Sequence, residues 1–144
     1  MHSISNGAAL ALGAATLGAL ACGGVAAQEE QRNYVSDDHV LSADLGPGGG
    51  SFTGVLGRES NRLCYILNVN KGDRPTAAHI HVGGKGESGR PVVPLATPAS
   101  GSSGGCIALE AGVARALTAN PGGHYVNVHS AAFPAGALRG QLSG

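Results

Sequence analysis

The segment Ala77-Ala78-His79-Ile80-His81-Val82 places two imidazoles one residue apart in a run that otherwise reads as a buried strand. On a β-strand residues i and i+2 share a face, so His79 and His81 stand side by side while Ile80 and Val82 face the other way. Two imidazoles at that spacing can share a metal ion, since neutral imidazole is a ligand for late first-row metals. A second segment, His124-Tyr125-Val126-Asn127-Val128-His129, divides in the same manner, with Tyr125, Asn127 and His129 on one face and His124, Val126 and Val128 on the other. Taking Ile80, Val82, Val126 and Val128 as core residues sends His79, His81 and His129 to the outer faces of their strands and His124 inward. Two readings follow. The outward rings converge on one ion, or they hydrogen-bond to backbone in neighbouring loops and hold the strand ends. Strand pairing decides between them, and the order of residues does not give it.

The elements that must position these rings are short and β-like. Segments 39–45, 51–56 and 62–69 are separated by Gly-Pro-Gly-Gly-Gly and Gly-Arg-Glu-Ser-Asn, both turn compositions. In the third, Leu63, Tyr65, Leu67 and Val69 share a face that reads as core, with Cys64, Ile66 and Asn68 opposite. Further strands are expected at 77–82, 91–95, 106–109, 124–129 and 137–142. Between two of them, Leu109, Val113 and Leu117 recur at i, i+4 and i+8, which predicts a short helix over 110–121, stopped by Asn120-Pro121. The glycine-rich 83–90 stretch lacks the sequence and helix context of a phosphate loop and reads as a flexible hairpin or crossover. Seven or so short strands with frequent glycine turns predict an all-β, antiparallel β-sandwich with one short helix.

Charge and cysteine placement bound the function classes. The chain has 144 residues, nine basic and nine acidic, with no basic run, so neither nucleic acid nor an anionic membrane surface is an implied partner. Aromatic content of 3% without Trp argues against a sugar-stacking or single-strand-binding platform. All of the charged residues follow position 27. Residues 8–21 are apolar but too short and too rich in Ala and Gly to span a membrane, and Val25-Ala26-Ala27 ahead of Gln28 fits signal peptidase. The organisation is therefore read as a secretory signal over 1–27, a linker over 28–38 and one domain over 39–144, exported to a periplasmic or extracellular compartment. Lipid anchoring through Cys22 is the minor alternative. Removal of the signal leaves Cys64 and Cys106, which in an oxidising compartment are expected to pair as a disulfide; two buried free thiols would suit a reducing cytosol. Neither cysteine has a His or Lys beside it in sequence to make a reactive thiolate.

Three stretches, "AAHIHVGGKGESGRPVVPL", "GGCIAL" and "NPGGHYVNVHSAAFPAGALRGQL", resemble the CHRD domain, named after chordin and found as a stand-alone exported module in bacteria. The ordered set "AAHIH", "YVNVH" and "LRGQL" carries the likeness, which covers about 39–142; His124 departs from it, standing where the family usually has an aromatic residue. The resemblance implies an immunoglobulin-like sandwich distantly similar to copper/zinc superoxide dismutases. In those enzymes the copper site is built from a His-x-His strand and a later Val-His strand, and "HIH" and "NVH" match in order and type. The implied ligand set is His79, His81 and His129, for copper or zinc. Between His81 and His124 the only titratable acids are Glu87 and Glu110 and there is no histidine, so a dismutase-like zinc half-site cannot be assembled and a copper-only centre is the limit. Arg139 stands either as an electrostatic guide for a small anion or as a solvated, hydrogen-bonding residue. The reading leans away from an enzyme, towards a binding or structural module for a metal ion or a protein partner; a copper-only, dismutase-like oxidoreductase is the alternative.

Processing is directly checkable. The intact mass of the exported protein is expected to match a chain that starts at Gln28, cyclised or not, whereas soluble protein retaining residues 1–27 would refute the leader and a lipid-modified Cys22 would establish the anchored form.

Overall fold

The computed structural model describes residues 38–144; the expected secretory signal over 1–27, Cys22 and all but the last residue of the expected linker lie outside the described residues. Eight strands form two four-stranded sheets, in which every paired neighbour runs antiparallel. The first sheet has the order β1 (His39–Asp44), β2 (Gly50–Leu56), β3 (Arg62–Val69), β6 (Ser102–Ala108). The second has the order β5 (Pro91–Leu95), β4 (Pro75–Val82), β7 (His124–Ser130), β8 (Leu138–Gln141). This all-β, two-sheet arrangement with one short helix is the architecture that the strand spacing predicts. The sequence reading starts β6 only at Cys106; its first half, Ser102-Ser103-Gly104-Gly105, has poor strand propensity and is extended because β3 offers it a full ladder.

Alternation builds the core between the sheets. Leu63, Tyr65 and Leu67 of β3 are buried, with Val69 packed against the same cluster, while Ile66 on the opposite face is exposed. Phe52 of β2 stacks on Tyr65 with ring centroids 5.8 Å apart. The Tyr65 hydroxyl, carried into the core, accepts the Ala96 N–H at 2.7 Å and so meets its hydrogen-bonding need from the chain that leaves β5. From the other sheet come Ala78 and Ile80 of β4, Val93 of β5, and Val126 and Val128 of β7, all buried. A Ser42–Ser143 bridge, with N–H···O bonds of 2.8 and 2.9 Å, joins β1 to the residues after β8 and ties one edge of each sheet together.

The helix α1 (Ala111–Ala119) carries the chain from the first sheet to the second. Its inward face holds Leu117 and Ala114, and Leu109 and Val113 are half-buried against the core, as the four-residue spacing predicts. Asn120 ends it: its N–H still reaches the Ala116 carbonyl, its side chain accepts the Gly123 N–H, and Pro121 opens a single 3-10 turn. That turn delivers His124 to the start of β7. The glycine-rich 83–90 segment is a hairpin loop between the paired strands β4 and β5.

Cys64 and Cys106 lie directly opposite each other on β3 and β6 and are bonded. The bond closes a loop with a separation of 42 residues, worth at most about 4 kcal/mol by chain-entropy arithmetic. The Cys64→Ala/Cys106→Ala double variant is expected to lose stability up to that amount in urea titrations. In the unreduced native protein, peptide mapping should find the cross-linked pair, and alkylation of both thiols would refute it.

Candidate metal centre

The register of β4 against β7 decides which outward side chains meet. His81 pairs with Tyr125, His79 with Asn127 and Ala77 with His129, so His129 sits diagonally from His79 on one face of the sheet. The three rings form a triangle, with centroids 5.6 Å apart for His79 and His81, 5.2 Å for His79 and His129, and 5.7 Å for His81 and His129. One nitrogen from each lies within 4.8 Å of the other two. His124 is elsewhere: it faces inward with Val126 and Val128, is buried, and donates its Nδ1–H to the Asn120 carbonyl at 3.0 Å.

One core assignment needs correction. Val82 shares parity with Ile80 yet is 39% exposed, while His81 is only 8% exposed. The cause lies in the β4–β5 ladder, where Ile80 pairs with Val93 but His81 with Pro91, leaving Val92 as an extra residue. That bulge bends the strand end, as bulges do, and Val82 lies beyond it. Nor is the outer face of this sheet a solvent face. The 83–90 loop folds back over His81, and the 131–137 loop over Asn127 and His129, so that β7 is buried on both sides at every residue but His129.

These two loops fix the tautomers. His81 Nδ1 lies 2.9 Å from the Gly89 carbonyl, and His129 Nδ1 lies 2.9 Å from the Pro134 carbonyl. A carbonyl oxygen only accepts, so each Nδ1 must carry the proton and each Nε2 keeps a lone pair. His129 Nε2 is 3.2 Å from His79 Nδ1 and accepts its proton in the metal-free state. His81 Nε2 is buried and has no hydrogen-bond partner, one of three such side-chain atoms among the described residues. Leaving a buried polar atom unpaired costs about 1–3 kcal/mol, and an unpaired ring nitrogen beside two other imidazoles is available to a metal ion.

The donor set is able to coordinate a metal ion. Nitrogens bound to one metal at about 2.0–2.1 Å stand roughly 3.3 Å apart in a tetrahedral shell. The 3.2 Å pair already meets that spacing, and the wider separations stay within 4.8 Å. His79 needs only to move its proton from Nδ1 to Nε2, with no net loss of charge. Burial, then the charges that His129 and His81 would carry, hold the His79 pKa below its ordinary 6.5, which keeps the ring available as a neutral ligand.

The remaining residues of the outer face act on the loops. Asn127 Nδ2 donates to the Ala135 carbonyl at 3.0 Å. Gly136, at φ +143°, passes so close that a Cβ there would collide with Asn127 Oδ1. Arg139 of β8 donates from Nη1 to the Glu87 carbonyl at 2.6 Å and from Nη2 to the Gly84 carbonyl at 2.8 Å, with its Cζ 3.4 Å from the centroid of the Tyr125 ring. Gln141 Nε2 reaches the carbonyls of Gly83 and Gly122, both at 2.8 Å, and that of His124 at 2.7 Å. Sequence reasoning missed Tyr125, Asn127 and Gln141 as parts of the site. Parity with His129 in "HYVNVH" was a usable signal for the first two.

The CHRD domain family matches residues 30–142, and the chain belongs to that family. The match begins nine residues before His39. Searches of curated proteins and of solved structures returned no match. Among the described residues no helix is long and apolar enough to cross a membrane.

The lowered His79 pKa carries a sign. In metal-free protein the folded state takes up this proton less readily than the unfolded chain, so the contribution to stability is complete above about pH 6.5 and is lost as pH falls from there through the folded pKa. Ring-resonance NMR is expected to show His79 titrating below 6.5, and His79→Gln should flatten the acid decline of the denaturant midpoint over that window. A His79 titration at or above 6.5 would refute the packing argument.

Proposed function

We propose that this protein is an exported metal-binding module that takes one copper or zinc ion on His79, His81 and His129. The observation that carries the reading is the convergence of the three imidazoles, one nitrogen of each within 4.8 Å of the others, with His81 and His129 each oriented by a backbone carbonyl, from Gly89 and Pro134. Metal-ligating histidines almost always donate their other N–H to a carbonyl or carboxylate in this way, which orients the ring and raises its basicity.

The chemistry of the donors narrows the ion. Calcium and magnesium take oxygen ligands, and no carboxylate belongs to the cluster. Imidazole without thiolate suits Zn(II) and Cu(II), and Cu(II) binds such donors more tightly than its neighbours in the first row. Three neutral ligands leave the charge of the ion uncompensated and a coordination position free for water or a small anion. Bound at the sheet surface, the ion would also tie β4 to β7 and stabilise the folded chain by mass action. Export is supported by the charge-free leader and by the disulfide, a bond that oxidising compartments favour. The module binds rather than turns over substrate in this reading.

Titration calorimetry with Cu(II) and with Zn(II) separates the cases. Wild type is expected to bind one ion per chain, and His79→Gln, His81→Gln and His129→Gln should each weaken binding by more than about a hundredfold, beyond what loss of an outer hydrogen-bond partner costs. His124→Phe, on the inward face, should keep wild-type affinity. Unchanged binding in His129→Gln would reject the three-histidine site.

A further inference from the structure

Arg139 touches no ligand nitrogen, yet its contacts run to His81 by two routes. Its fork holds the carbonyls of Gly84 and Glu87, which fixes the 83–90 loop, and that loop presents the Gly89 carbonyl to His81 Nδ1–H. Its guanidinium also lies against the Tyr125 ring, 3.4 Å from the centroid, and Tyr125 stacks on His81 at 5.1 Å with planes 22° apart. The routes meet at Gly89, whose N–H is donated to the Tyr125 hydroxyl at 3.3 Å while its carbonyl takes the His81 proton. A side chain at position 89 would collide with the Val82 carbonyl, so this close seating of loop on strand depends on glycine.

A planar fork is what this job needs. Two carbonyls three residues apart are bridged by two N–H groups in fixed geometry, and the flat face of the same group packs on an aromatic ring. A free cation used to steer anions would instead leave its donors open to solvent. We propose that Arg139 is the positioning residue of the metal centre, acting with Tyr125 and the 83–90 loop to hold His81 in its Nδ1–H tautomer with Nε2 presented to the ion. Its part in affinity rests on the metal reading above; its part in the tautomer does not.

The test therefore begins on metal-free protein. Ring ¹⁵N NMR of wild type is expected to show His81 as a single Nδ1–H tautomer with a slowly exchanging proton. In Arg139→Gln the tautomers should mix and exchange should quicken, and Arg139→Lys, a point charge without the fork, should not restore the wild-type spectrum. Tyr125→Leu keeps the fork and removes the ring, and should give an intermediate state. If Arg139→Gln fails to fold, Arg139→Lys and Tyr125→Leu carry the same comparison. Copper and zinc titrations on the same samples should lose about ten- to a hundredfold in affinity, with a changed Cu(II) electron paramagnetic resonance spectrum. Wild-type tautomer and exchange in the folded Arg139 variants would overturn the proposal. Tautomer mixing in a protein whose wild type binds neither ion would uphold the positioning role and reject the metal reading.

Discussion

The register between β4 and β7 is the constraint on which the rest depends. Side chains on a strand alternate with period two, so a slip of one residue would turn His79 and His81 into the core and bring Ile80 to the outer face. The register is held from the inside. Ala78, Ile80, Val126 and Val128 are packed against the other sheet and leave the pair no alternative seating. The apolar core thus sets the position of polar groups it never touches. His79 and His129 meet because their neighbours in sequence are buried on the other face, and the same logic lines up Tyr125, Asn127, Arg139 and Gln141 as a polar field around them.

A second tier of order comes from the loops. In most sandwiches the outward residues of a strand meet water, whereas here two connections fold back and spend backbone carbonyls on side chains. Gly89 and Pro134 orient one imidazole each, and Ala135 takes Asn127. The arrangement is more ordered than three histidines on a bare sheet would be, since two of the rings are held by carbonyls from separate loops and the third, His79, is bonded to His129. Preorganisation of this kind lowers the cost of assembling a ligand set. Burial of His79, and then its two imidazole neighbours, oppose the charge on that ring that would drive the three apart.

What the sequence revealed, and what it hid, follows the range of the interactions. Strand alternation over Leu63, Tyr65 and Leu67, the helical spacing of Val113 and Leu117, and the parity that separates His124 from His129 are all local, and all are readable from neighbouring residues. The pairing of Cys64 with Cys106 was legible by elimination, once the expected leader and its Cys22 were set aside. Convergence of His79, His81 and His129 was not, because it depends on strands about fifty residues apart; it was reached through the family likeness and then found in the register. The exposure of Val82 escaped alternation because a single extra residue, Val92, sits on the partner strand, where no pattern in 77–82 records it. Arg139 was legible as a cation but not as a clamp. Its acceptors are backbone carbonyls more than fifty residues away, and a carbonyl has no signature in the sequence.

The strand at one border of the histidine sheet, β5, contains Pro91 and Pro94 within five residues. Proline has no N–H to offer, so this border presents acceptors with gaps where donors would be needed to continue the ladder. An extended segment from another molecule finds no regular row to pair with there. The same two residues that make β5 a poor strand by propensity thus keep the histidine sheet from growing by one strand at a time into an aggregate, a hazard to any sheet protein with an open border.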